Sequence, residues 1–284
     1  MGIGNRKIGN DKNGNQRRAL HLFRQYPVAE RQRGCGVKLE KIAREAGKIL
    51  LENFEKTESS MVLKKKQGID FSIQTDKMVE DRIVELLKEG GFDGEIVTEE
   101  AGNLKLGNSK SKIFVDPLDG TWNFSRGIPY FCTALCLQDG DVMESAVYDP
   151  NRDEMFTAKK GQGAYLNGKK IKVNENTSVT IVNMSYLDDL TKILEFHTKN
   201  NFLIRSLFSS ELDLCYTAMG RTDASVVPKA AKIGPWDIAA GCLMVEEAGG
   251  IVTDKGGKPW TPYSKGIIAG NKSMHKTLLE LVGE

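Results

Sequence analysis

Two stretches limit the fold more than anything else in this chain. "YFCTALCLQDGDVMESAVYDP" (130–150) and "DEMFTAKKGQGAYLNGKKIKV" (153–173) read as antiparallel strands, turned at Asp139-Gly140 and Asn167-Gly168. Helices precede them. "VKLEKIAREAGKILLENF" sets Leu39, Ile42, Ala43, Ala46, Ile49 and Leu50 at helical spacing. "TDKMVEDRIVELLKEGG" gives a second helix, opened by Thr75 or Asp76 as its cap and closed by Gly90 and Gly91. "GEIVTEEAG" is a short strand running into two glutamates, and "SKIFVDP" is the next strand.

The second half alternates strand and helix. "TIVNMSY", "DASVVP" and "GIIAGN" are strand-like, while "LDDLTKILEFHTKN", "SSELDLCYTAMG", "WDIAAGCLMVEEAGG" and "KSMHKTLLELV" are helical. An antiparallel first half and an alternating second half predict an α/β (α+β) fold of stacked sheet and helix layers. The expected divisions are a basic, disordered extension over 1–37, an antiparallel half over 38–175 and an α/β half over 176–284.

With 40% hydrophobic residues, the 284-residue chain can bury a substantial core. No apolar run approaches a membrane span and no signal-peptide stretch follows the start. The five cysteines are odd in number and scattered, which predicts reduced thiols in a cytoplasmic protein. Cys132 and Cys136 read as packing in a buried strand. His21, His197 and His275 are too dispersed for a zinc site. Residues 1–36 carry eight Lys/Arg against Asp11 and Glu30, a balance of +6, which leaves the rest at −4 within a net charge of +2. An acidic globular part is a poor general nucleic-acid binder, so any such contact is confined to the basic arm.

The chemistry centres on "IFVDPLDGTWNF" (113–124), where an apolar strand ends in two aspartates three residues apart. Asp116 and Asp119 can aim at one point beyond the sheet edge. Pro117 fixes its backbone angle, the Leu118 carbonyl can serve as a third oxygen ligand, and Gly120 lets a ligand approach the backbone. Thr121 to Phe124 start a helix whose first N–H groups favour an anion. Hard oxygens for a hard cation beside amides for phosphate are the parts of a metal-dependent phosphoryl-transfer site. Glu99 and Glu100 end the preceding strand and can face the same edge. Asp237, in "GPWDIAAG", stands at a predicted helix start, where an N-cap is its other reading.

Six motifs, "TDKMVED", "EEAG", "DPLDGTWNF", "GAYLNGKKI", "LDLCYTAMGRTDA" and "PWDIAAGCLMVEEAGG", stand in one order from about residue 38 to the end. Together they resemble the inositol monophosphatase family of magnesium-dependent, lithium-sensitive phosphatases, whose superfamily includes fructose-1,6-bisphosphatases and 3'-phosphoadenosine phosphatases. The resemblance implies a layered α-β-α-β-α sandwich, a homodimer, and two to three Mg²⁺ ions per site. It implies Glu99, Asp116 and the Leu118 carbonyl for the first ion, and Asp116, Asp119 and Asp237 for the second. Glu99 and Asp76 would hold a weaker third. Thr121, supported by Asp76, would orient the attacking water. Asp119, the Gly120 and Thr121 amides, Ser209, Ser210, Asp213 and Asp237 would meet substrate, with Lys65 and Lys229 as further candidates. Metal ions offset the charge of a phosphate monoester and lower the pKa of a bound water from about 15.7 towards about 7, so no His or Cys nucleophile is required.

The implied reaction is hydrolysis of a small polyol or sugar phosphate, of the inositol 1-phosphate or the fructose 1,6-bisphosphate type. Where many inositol phosphatases carry a substrate-binding acid, this chain has Ala230, between Lys229 and Lys232. Those lysines either meet a second anionic group of the substrate or face solvent. Phe208 stands where a glycine is common. A 3'-phosphoadenosine phosphatase fits less well, since Trp122-Asn123-Phe124 replaces that branch's Lys-Glu-Phe-type segment. Haloacid-dehalogenase-type phosphatases need two aspartates two apart, and the spacing here is three. A phosphate-sensing or RNA-associated protein is the non-catalytic alternative, against which the full set of metal acids argues.

Overall fold

The computed structural model describes residues 37–54, 62–65, 71–182, 191–200, 203–227 and 233–283. Helices α1 (Leu39–Phe54) and α2 (Gln74–Glu89) bracket a two-stranded antiparallel ladder, β1 (Val62–Lys65) with β2 (Phe71–Ile73). The main sheet follows: β3 (Glu95–Thr98), β4 (Gly102–Lys105), β5 (Lys112–Asp119), β6 (Cys132–Asp139), β7 (Val142–Asp149), β8 (Glu154–Lys159), β9 (Gly163–Leu166) and β10 (Lys169–Lys170). A short helix, α3 (Thr121–Ser125), interrupts the run after β5. The sheet's order is β10-β9-β8-β7-β6-β5-β3-β4, antiparallel except for the parallel pair β3 and β5.

A second sheet contains β11 (Val179–Val182), β12 (Leu203–Arg205), β13 (Ala224–Val227), β14 (Ile251–Asp254) and β15 (Ile267–Gly270), in the order β12-β11-β13-β15-β14. Its helices are α4 (Thr191–Asn200), α5 (Ser210–Ala218), α6 (Ala239–Glu247) and α7 (Lys272–Val282). Apolar burial sorts these elements into layers. Leu39, Ile42, Ala46 and Leu50 of α1 and Val79, Ile83 and Leu87 of α2 cover one face of the large sheet around Phe114's neighbours Ile113 and Val115. Helices α5 and α6, rich in Leu, Ala and Cys, fill the space between the two sheets. Ile193, Met274 and Leu278 of α4 and α7 close the outer face of the small sheet. The result is the α-β-α-β-α sandwich, and residues 33–284 make one unit.

Several sequence expectations change in detail. Helix α2 begins at Gln74, so Thr75 and Asp76 lie inside its first turn rather than capping it. Asp139 pairs with Val142, which moves that turn to Gly140-Asp141. At Asn167-Gly168 both residues have positive φ (47° and 76°), as a two-residue hairpin turn requires. The ladder β1/β2 and strands β4 and β14 have no counterpart in the sequence reading. They are short, each stands at an end of its sheet's order, and none shows a long apolar alternation. Cys132, Cys136, Cys215 and Cys242 are buried free thiols, while Cys35 lies outside the described residues. The 1–37 extension lies outside them as well, apart from Val37.

Candidate active site

The site grows from the parallel pair β3/β5. Thr98 stands beside Val115, so Glu99 and Asp116 follow the last β3/β5 pair side by side at one end. Beyond Asp116 the register against β6 slips: Asp116 faces Ala134 and Asp119 faces Cys132, three residues on one strand against two on the other. Pro117 supplies no N–H for a ladder bond, and the extra residue makes a bulge. The strand thus continues to Asp119 instead of stopping at Asp116. The bulge frees the Leu118 N–H, which donates to Asp116 Oδ1 at 3.0 Å. The Leu118 carbonyl accepts from the Thr121 hydroxyl at 3.0 Å, so Asp116, Leu118 and Thr121 are tied into one hydrogen-bonded turn that carries Asp119.

Gly120 is needed for reasons behind the site, not in front of it. Its φ is +94°, and a Cβ there would lie 3.0 Å from the Tyr130 carbonyl and 3.2 Å from Phe131 Cβ. From Gly120 the chain enters α3, where Asn123 donates to the carbonyls of Tyr130 (2.8 Å) and Leu207 (2.7 Å). That second bond fixes the loop entering α5. Next along it, Phe208 has φ +69°, a left-handed backbone that glycine adopts without cost. This explains why a glycine is suited to the position.

Helix α5 then presents its first residues to Asp119. Ser209 Oγ donates to Asp119 Oδ2 at 2.6 Å, the Ser210 N–H to Oδ1 at 3.2 Å and the Glu211 N–H to Oδ2 at 2.8 Å. Ser209 and Ser210 therefore orient Asp119. Asp213, one turn on, accepts from the Tyr130 hydroxyl at 2.8 Å and is only 2% exposed. Asp237 lies in a 3-10 turn, Pro235–Asp237, just before α6, and this turn packs against β3, β5 and β6. Its Oδ2 accepts from the Gly234 N–H at 2.6 Å. Asp76 is 3% exposed in α2. Lys65 stands in β1 opposite Phe71. Lys229, Ala230 and Lys232 lie outside the described residues.

Electrostatics tie these parts together. Burial, and then the charges of Glu99, Asp119, Asp237 and Glu211, hold Asp116 well above the usual carboxylate range. Burial raises Asp119 too, opposed by its bonds to Ser209, Glu211, Ser210 and Cys132. Among the described residues, neither aspartate makes an ion pair with Lys or Arg. Also among the described residues, no three acidic, Cys or His side chains converge into a ready-made metal cage. Each aspartate is turned to a donor of the protein instead. The donor set still fits a hard divalent cation: all oxygens, strongly anionic, and close enough to raise one another's proton affinity.

Two acids that the sequence reading passed over belong to this region. Glu80 of α2, 1% exposed, accepts from Thr98 Oγ1 (2.7 Å) and the Ala101 N–H (3.1 Å), clasping the turn that carries Glu99 and Glu100. Glu211 is completely buried at the start of α5. The available signal was a second acid, two residues before Asp213, in the run "ELDLC" of a core helix.

Comparison with known proteins turns this geometry into an identity. The model of the inositol monophosphatase family matches residues 36–284. The chain belongs to the inositol monophosphatase family. The Nus factor SuhB of Xylella fastidiosa is 36% identical over 258 residues, spanning 85% of this chain and 92% of that one. The fructose-1,6-bisphosphatase/inositol-1-monophosphatase of Thermotoga maritima is 34% identical over 249 residues, spanning 86% and 94%. Among solved structures, the extragenic suppressor protein suhB from Bartonella henselae superposes with a TM-score of 0.77 at 32% identity, over 85% of this chain and 95% of that one. The family is one of Mg²⁺-dependent phosphoric monoester hydrolases acting on sugar-phosphate-like substrates. No described helix is long and apolar enough to cross a membrane.

Proposed function

We propose that this inositol monophosphatase family member hydrolyses a small polyol phosphate of the inositol 1-phosphate type, with fructose 1,6-bisphosphate as the alternative substrate. The observation that carries the proposal is the grouping of Glu99, Asp119 and Asp237, from three separate segments, around the buried Asp116. Glu99, Asp116, the Leu118 carbonyl, Asp119 and Asp237 would hold Mg²⁺, with Asp76 contributing to a further, weaker ion. The bound metal supplies charge neutralisation of the phosphate and a low-pKa water.

The remaining work falls to the chain's own groups. The Thr121 hydroxyl, anchored on the Leu118 carbonyl, is placed beside the acids and can direct a water's lone pair at phosphorus. Ser209, Ser210 and the Glu211 amide hold both oxygens of Asp119 in place, so it meets the substrate side without reorganising. Asp213 and Tyr130 brace the same wall from behind. The test is phosphate release from inositol 1-phosphate and fructose 1,6-bisphosphate, with and without Mg²⁺, beside Asp116→Asn. Metal-dependent turnover by wild type alone supports the site, and the rate ratio chooses the substrate. Turnover by Asp116→Asn would remove the assignment.

A second role has one supporting observation, the basic 1–36 segment of a chain whose relatives include proteins named Nus factors. Its test is salt-dependent RNA binding that vanishes on deletion of residues 1–36.

A further inference from the structure

Glu211 is a completely buried carboxylate for which the hydrolytic reading has no use. Its backbone and its side chain reach in different directions. The N–H holds Asp119 Oδ2 at 2.8 Å. The carboxylate crosses to the start of α6, where Oε1 accepts from the Ala240 N–H at 3.2 Å and Oε2 from the Gly241 N–H. Those two amides lie three and four residues after Asp237, on the helix that follows its 3-10 turn.

Gly241 is what permits this arrangement. A Cβ at 241 would stand 2.6 Å from Glu211 Oε2 and 2.5 Å from Leu214 Cβ. The absence of a side chain there lets α6 present its first free N–H groups directly to the carboxylate. Burial and the neighbouring Asp119 hold the Glu211 carboxyl well above the usual carboxylate range, and the Gly241 and Ala240 amides oppose them. The pair of N–H groups is matched by the pair of oxygens, so one side chain gives the helix start two acceptors while its own N–H holds Asp119. Asp119 and the turn that carries Asp237 are thereby tied through a single residue.

We propose that Glu211 is a positioning residue: it brackets Asp119 and the Asp237 turn into one cation-binding unit. This rests on the metal-site reading above. The bracket requires both properties of the side chain: its length, which lets it reach α6 while its amide stays on Asp119, and its two acceptor oxygens, one for each N–H.

The experiment is Mg²⁺ titration of the full-length, metal-free protein by calorimetry, with no turnover involved, for wild type, Glu211→Gln, Glu211→Asp and Asp116→Asn. Glu211→Gln keeps the reach but puts an NH₂ donor where one of the two N–H groups needs an acceptor, whereas Glu211→Asp keeps both acceptors and loses the reach. Both are expected to bind Mg²⁺ about tenfold more weakly than wild type, the ratio that 1.4 kcal/mol represents. Circular dichroism and the thermal midpoint without metal check that both variants are folded. Wild-type Mg²⁺ affinity in either variant overturns the proposal. Absence of Mg²⁺ binding by wild type itself would instead overturn the metal-site reading, which keeps the two failures distinct.

Discussion

Gly120→Ala tests the local architecture most sharply, because its cost can be worked from the backbone. Residue 120 has φ +94° and ψ 34°, outside the regions open to a side chain. The left-handed conformation alone costs a non-glycine residue about 1–2 kcal/mol. The new methyl would also press on the Tyr130 carbonyl at 3.0 Å and on Phe131 Cβ at 3.2 Å, and neither can easily withdraw. Phe131 is completely buried against Phe124, and the Tyr130 carbonyl holds Asn123. Overpacking of this kind adds about 1 kcal/mol or more. A total of about 2–3 kcal/mol corresponds, for a chain of this size, to a fall of roughly 4–12 °C in Tm. The perturbation sits between Asp119 and Thr121, so phosphatase activity should fall by more than the loss of folded protein accounts for. Thermal unfolding followed by circular dichroism, beside an assay at a temperature where both forms are folded, reads both effects. An unchanged Tm would show that the positive φ is not a structural requirement, and the account of the turn would be wrong.

Asp116→Asn should lower phosphatase activity by about a thousandfold, since metal-borne charge stabilisation is worth several kcal/mol at about 1.36 kcal/mol per tenfold. In EDTA the same variant should be more thermostable than wild type. The gap should widen as pH rises. Burial and the neighbouring acids raise the folded-state pKa of Asp116, so the native protein keeps a proton that the unfolded chain has lost. Asp116 therefore costs wild type stability from about pH 4 upward, with a slope of up to about 1.4 kcal/mol per pH unit, a contribution that the asparagine variant lacks. A gap that narrows with rising pH would contradict this sign. Adding Mg²⁺ should raise the wild-type Tm and leave Asp116→Asn nearly unmoved, as differential scanning fluorimetry would show. Phe208→Gly should cost no more than about 1 kcal/mol in urea unfolding, because relief of φ +69° offsets the loss of a half-buried ring. A loss above about 3 kcal/mol would show that the ring, not the backbone, dominates there.

What is periodic or local could be read from the residues alone. The spacing of Leu39, Ile42, Ala43, Ala46 and Leu50 specified α1, since burying one stripe of a helix requires that pattern. Asn167-Gly168 specified its hairpin turn because few residue pairs accept two positive φ angles. The acids proposed to hold Mg²⁺ were nominated by their motifs, with Glu99 and Asp116 at neighbouring strand ends. How separate segments meet emerges only once the chain is folded. That β3 lies parallel to β5, bringing Glu99 beside Asp116, depends on which strands pair, and no local pattern encodes this. The bulge at Pro117-Leu118 appears only against β6, because a register is a property of two strands. The serines expected to meet substrate turn to Asp119, and Glu211 joins Asp119 to the helix after Asp237, across 92 residues on one side and 29 and 30 on the other. A buried carboxylate reads in sequence as an ordinary charged residue. Only packing shows that it has been removed from water, and removal from water is what makes its partners matter.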